Sequence, residues 1–216
     1  MMAESMAWPG IALLGVWHGI NPGMGWLFAV ALGLQYKERR AVWRALPPLA
    51  LGHAAAIAGV LLLAAALEVV IPLSALRWVV GVALVSFGIL KLVSARHPRY
   101  GGMQVNAAEL TVWSALMAAA HGAGLMVVPF VLGQSAGGQA DGEHAGHLAA
   151  LASGPGAEAA IMATVVHTAG YLLAACLVAF LVYEHFGVSV IKRWWVNIDR
   201  IWAMTLIITG LLSPLA

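Results

Sequence analysis

Hydrophobic positions along the chain gather into six long runs, at roughly residues 9–35, 46–67, 76–92, 110–132, 158–183 and 195–215. A helix needs about 20 mainly apolar residues to cross a bilayer, within a range of about 17–25, and each run is long enough. Polar positions fall between the runs: none of the eleven Lys and Arg or the nine Asp and Glu lies in the central part of any of them. The pattern predicts an all-α polytopic membrane protein with six transmembrane helices, occupying 1–216 as a single membrane domain.

Composition strengthens this reading. The chain is 62% hydrophobic and 9% charged, with a mean hydropathy of +0.90, against roughly 45–50% apolar and ~25% charged in soluble domains. A soluble fold could not cover so much apolar surface, so the expected partner is the lipid bilayer. The net charge of +2 gives no reason to expect nucleic acid. Residues Met1 to Pro9 carry Glu4 and no basic residue, unlike the positive start of a cleaved signal, so the first run is expected to be retained. The single cysteine, Cys176, excludes an intramolecular disulfide.

Charge then orients the runs. Lys37, Arg39, Arg40 and Arg44 follow the first, Lys91, Arg96 and Arg99 the third, and Lys192 and Arg193 lie between the fifth and sixth, with Arg200 near the start of the sixth. By the positive-inside rule these segments are cytoplasmic. Both termini, the 68–75 turn and a 134–157 loop are then external, in what is expected to be a bacterial inner membrane. Trp8 and Trp78 would lie at the outer interface and Trp43, Trp113, Trp194 and Trp195 at the inner one.

The two halves of the chain echo each other. His18-Gly19 leads to Gly33-Leu34-Gln35 in the first run, and His121-Gly122 leads to Leu132-Gly133-Gln134 in the fourth. Gly52-His53-Ala54-Ala55 in the second run matches Val166-His167-Thr168-Ala169 in the fifth, and Gly88-Ile89-Leu90 matches Gly210-Leu211-Leu212. Three runs per repeat make the halves enter from opposite faces, so an inverted pair of three-helix repeats is expected, at 9–92 and 110–216.

His18, His53, His121 and His167 are the only side chains that titrate near neutral pH well inside the runs, Cys176 apart. Such groups are costly in a membrane and tend to face a bundle interior or a pathway. A lone one is explained by a hydrogen bond to a neighbouring helix, but four in two symmetric pairs suggest convergence near the midplane. Neutral imidazole suits Zn, Cu, Fe and Ni, and a shared cluster would be a metal site or a proton relay. Met24, Met117 and Met126 lie close along the chain, and thioethers would favour Cu(I). In the first run, Asn21-Pro22-Gly23-Met24-Gly25 predicts a broken helix, since proline removes a donor and glycine tolerates opened backbone. Gly122-Ala123-Gly124 and Pro129 make the fourth run a second candidate, with an ordinary kink expected at Pro129. The external loop holds Asp141, Glu143, His144 and His147, which could gather a metal loosely, although loops of this composition are usually flexible linkers.

His18-Gly19-Ile20-Asn21-Pro22 and Gly52-His53 make the chain resemble the LysE-type transporter superfamily, in particular its nickel/cobalt exporter and HupE/UreJ branches. The first-span motif there is His-x-x-x-Pro-Asp-His; Gly23 and Met24 stand here in place of its Asp and His. The resemblance implies inverted three-helix repeats and metal-cation transport. The function expected is therefore a secondary transporter or exporter of a transition-metal cation, with His18, Asn21, Pro22, His53, His121 and His167 forming the site. Met24 and Met126, and His144 and His147 in the loop, are further candidate ligands. The alternatives are a haem-binding or redox membrane protein, with histidine pairs as axial ligands, and a transporter of a small organic or anionic solute, bound at a broken-helix N-terminus. No intramembrane carboxylate or serine-histidine signature stands out, so an enzyme is not expected. A homo-oligomer is compatible with the sequence.

Overall fold

A bilayer offers the backbone no hydrogen-bond partners, so a chain this apolar must satisfy its own amides. The computed structural model describes residues 2–68, 71–93, 105–135, 155–186 and 191–215, and among these the fold is all-helical, with no strand. Helix α1 spans Met2–Ile20, a 3-10 turn covers Pro22–Met24, and α2 runs over Trp26–Tyr36. Helix α3 is Arg39–Glu68, α4 Leu73–Val93, α5 Ala107–Ala120 and α6 Ala123–Ser135. Helix α7, Pro155–Leu181, continues into a π-helical turn, Val182–Phe186. Helix α8, Ile191–Leu212, ends in a 3-10 turn, Ser213–Leu215.

Three segments are long and apolar enough to cross a membrane: Arg39–Ala64, Ser74–Val93 and Glu158–His185. Helices α5 and α6, bent by 61° at their junction, act as a fourth if taken as one span. The described residues therefore contain three to four helices able to span a bilayer, as in an integral membrane protein. The hydrophobic run at 9–35 is not one helix but two, divided at 21–25, and the run at 195–215 lies in α8 and the turn after it. Of the loop expected over 134–157, residues 134–135 and 155–157 belong to helices α6 and α7, and 136–154, with Asp141, Glu143, His144 and His147, lie outside the described residues.

Helix α1 packs along α7, α3 along α5, and α4 along α8, while α3 also crosses α7 near the centre of the bundle. Glycine permits each of the three long contacts. A Cβ on Gly15 or Gly19 would strike the carbonyls of His167 or Tyr171, and one on Gly170 would lie 2.5 Å from the Ala12 carbonyl. A Cβ on Gly52 would strike the Thr111 carbonyl, and Ser114 pins the same helices through a 2.6 Å bond from its hydroxyl to the Leu49 carbonyl. Gly81 and Gly210 face each other, each with its missing Cβ within 2.8 Å of the other's carbonyl oxygen. Without hydrophobic drive between helices in lipid, such close approach is what gains dispersion energy. Gly15 and Gly19 thus act as a packing stripe, and they bring α1 against α7 beside two histidines.

Candidate functional site

The break in the first run follows from local chemistry. Asn21 caps the 3-10 turn, its Oδ1 accepting from the Gly23 amide at 2.8 Å, and Pro22 follows at the first position of that turn. Pro22 can spare the amide it lacks there, and its fixed φ suits a helix start. Gly25 then takes φ +116°, in the left-handed region, before α2 begins. The fourth run breaks closer to its histidine: His121 is the C-cap of α5, Gly122 has φ +70°, and α6 starts at Ala123, whereas His18 lies in the last turn of α1, two residues before its end. Helix α6 runs through Pro129 without a second break.

The opened backbone is satisfied by aromatic side chains. The Trp26 indole donates to the Ile20 carbonyl at 3.0 Å, the Tyr171 hydroxyl to the Met24 carbonyl at 2.7 Å, and the Trp202 indole to the His121 carbonyl at 2.9 Å. Each of these carbonyls lies at a helix end, where intrahelical partners run out.

Beside the breaks the histidines gather. His18, His53, His121 and His167 are all buried, at 0%, 0%, 1% and 0% exposure. The ring centroids of His18 and His167 lie 4.8 Å apart, those of His53 and His167 5.4 Å, and those of His18 and His53 5.5 Å. Helices α1, α3 and α7 thus each supply one imidazole to a single cluster. His121 approaches from the other break. Its ring lies 6.1 Å from that of Trp202, which packs edge-on to His18 at 4.3 Å, and its Cε1 and Nε2 lie 3.5 Å from where a Gly23 Cβ would stand. Met24 and Met126 are buried in the surrounding core.

The hydrogen bonds determine what the rings offer. His18 Nδ1 lies 2.8 Å from the Leu14 carbonyl and His121 Nδ1 2.8 Å from the Met117 carbonyl, each four residues back on its own helix. A carbonyl only accepts, so Nδ1 carries the proton and Nε2 of the neutral ring keeps its lone pair. His18 Nε2 and both ring nitrogens of His53 and His167 are buried without a hydrogen-bond partner. The Ile11 carbonyl lies near the His167 ring but outside hydrogen-bonding geometry. The Asn21 amide nitrogen is likewise buried and unpartnered.

Imidazoles sharing one tetrahedral ion at about 2.0–2.1 Å per nitrogen have ring centroids roughly 5 Å apart, close to the separations among His18, His53 and His167. The rings are not oriented for ligation as they stand: among the described residues no group of three or more His, Cys, Asp or Glu is arranged to hold a metal ion.

Trp202 and Tyr171 are site residues that the sequence reading did not single out. A signal for each was available. Tyr171 follows His167 by four residues and so shares its helix face, and Trp17, Trp26 and Trp202 are the tryptophans that sit inside apolar runs rather than at their ends.

Comparison of the chain with protein-family models, with curated proteins and with solved structures finds no match in any of the three.

Proposed function

We propose that this protein is a secondary transporter of a transition-metal cation, bound between the halves of an inverted repeat by His18, His53 and His167, with His121 and Asn21 beside them. The observation that carries the reading is the convergence of three buried imidazoles from three helices, with five ring nitrogens lacking any partner. Each buried, unsatisfied polar atom costs about 1–3 kcal/mol, so the cluster is poorly explained as packing and well explained as a binding site.

The helix pairing supports six spans in two inverted repeats. On that reading α1 with α2, α3 and α4 form one repeat, and α5 with α6, α7 and α8 the other. A pseudo-two-fold would exchange the α1–α7 and α3–α5 contacts and map the α4–α8 and α3–α7 contacts onto themselves, which is the observed pairing. It would also exchange His18 with His121, which make the same Nδ1 bond to the carbonyl four residues back. Breaks beside a central site are a recurring feature of such transporters. The basic segments then face the cytoplasm, and a gradient or a partner ATPase supplies the energy.

The cluster offers three imidazole lone pairs, from His18, His53 and His167, beside the unpartnered donors of His53, His167 and Asn21, and the metal reading rests on the lone pairs. A haem needs its porphyrin between two axial imidazoles, but Trp202 and Tyr171 already lie 4.3 and 4.0 Å from the His18 and His53 rings. The test is metal flux into proteoliposomes carrying the full chain, compared with His18→Ala, His53→Ala and His167→Ala. The reading expects at least tenfold slower flux in each variant, and wild-type rates in all three would overturn it.

A further inference from the structure

The cluster is short of negative charge, and that limits its cargo. We infer that the site takes a monovalent transition-metal cation, with the chemistry of Cu(I), in preference to a divalent one; the inference rests on the transporter reading above. Every one of the nine Asp and Glu lies outside the central part of the apolar runs. Of those whose side chains are described, Glu38, Glu109 and Glu158 are exposed, and Glu184 is committed to Arg39 through a bidentate pair at 2.6 and 2.7 Å. Among the described residues, then, no carboxylate is free at the cluster, and the ligands there are neutral.

Two helix ends supply the nearest fixed negative potential. His18 sits in the last turn of α1 and His121 caps the C-terminus of α5. A helix C-terminus carries roughly half a negative charge, so the two offer at most about one unit, partly offset by the starts of α2 and α6 across the breaks. The desolvation cost of an ion grows as the square of its charge, about fourfold from a monovalent to a divalent ion of the same size. A neutral, buried site with at most one compensating unit matches a single positive charge.

Ligand type then narrows the monovalent cations. Imidazole nitrogen is a poor match for the alkali cations, which take oxygen, and a good one for copper; thioether sulfur favours Cu(I) specifically. Met24, within the break, and Met126 on α6 are both buried in the same apolar core as Tyr171 and Trp202, whose rings pack on His53 and His18. Once turned toward one ion, three imidazoles would fill the coordination that Cu(I) accepts without a carboxylate.

The full-length chain, purified in detergent and kept anaerobic with ascorbate, is titrated with Cu(I) against a chromogenic chelator, and separately with Zn(II), Ni(II) and Co(II). One Cu(I) per chain is expected, bound at least tenfold more tightly than any of the divalent ions. His18→Ala and His167→Ala are expected to weaken Cu(I) binding at least tenfold, whereas His53→Met, which exchanges an imidazole for a thioether, keeps it within tenfold of wild type. Should the alanine variants fail to fold, X-ray absorption on the copper-loaded wild type reads the same point, with two or three nitrogen neighbours expected and none from carboxylate. Tighter binding of a divalent ion overturns the inference and leaves the transporter reading standing. Absence of binding by any of the four metals overturns both.

Discussion

The ring of Tyr171 lies flat against that of His53, with centroids 4.0 Å apart and planes 6° from parallel, while its hydroxyl donates to the Met24 carbonyl 2.7 Å away. One side chain from α7 thus braces an imidazole on α3 and holds the broken backbone of the first run. Tyr171→Phe keeps the stack and removes the bond, leaving a buried carbonyl unsatisfied at a cost of about 1–3 kcal/mol. The variant is expected to unfold at lower temperature in detergent with its helix content unchanged before the transition. A melting curve identical to wild type would show that the bond carries no stability.

Much of this was legible in the sequence, for reasons that also mark where legibility ends. The long apolar runs, the four histidines and the break at Asn21-Pro22-Gly23 are local signals, and each has a counterpart in the structure at the same residues. The fourth-run break falls at His121-Gly122, where glycine supplies the positive φ, and not at Pro129, because α6 carries that proline without interruption. What could not be read was which side chains meet. Trp202 reaches the His121 carbonyl across 81 residues of chain and Tyr171 the Met24 carbonyl across 147. Uniformly apolar helices have no polar face to reveal their orientation, so periodicity gives no account of such pairs.

Glycine positions provide the sharpest test of the packing. A Cβ on Gly15 would collide with the His167 carbonyl and lie 2.9 Å from its carbon, both backbone atoms that cannot move unless α1 and α7 separate. Gly59, by contrast, has nothing within 4 Å of its missing Cβ. Gly15→Ala is expected to cost about 1–3 kcal/mol or more as overpacking, whereas Gly59→Ala should be neutral or gain up to about 1 kcal/mol from helix propensity. Equal effects of the two substitutions on thermal stability would contradict the α1–α7 contact.

The Arg39–Glu184 pair joins the start of α3 to the π turn after α7, but it is a surface feature, with the Arg39 side chain 67% exposed. Exposed pairs typically contribute about 0–1 kcal/mol. A double-mutant cycle with Arg39→Ala and Glu184→Ala should therefore give a coupling energy below about 1 kcal/mol, falling further at high salt. A coupling several times larger would mean the pair is shielded from water in the membrane.

On the transporter reading, metal and proton compete for the same imidazole lone pairs. Ligation requires neutral rings, so metal binding displaces protons from any that are charged, and affinity must fall as pH is lowered. Because the rings are buried and burial disfavours the charged form, competition titrations carried down to the pH at which the rings take up protons should show weakening there and little change above it. Binding that strengthens under acid would remove the histidines from the site.

Asn21 allows the charge of the site to be changed almost without changing its shape. Its Oδ1 already serves as an acceptor for the Gly23 amide at 2.8 Å, whereas its Nδ2 is buried with no partner. Asn21→Asp therefore keeps the cap and gives up no hydrogen bond, while adding a negative charge to a region that has none from any described side chain. In the absence of metal that charge is uncompensated and should lower stability, because a buried unpaired carboxylate is costly. With metal present it should favour the higher charge: Zn(II) affinity relative to Cu(I) is expected to rise at least tenfold over wild type. If the Zn(II) to Cu(I) ratio stays at its wild-type value while the variant remains folded and still binds metal, charge scarcity is not what selects the ion.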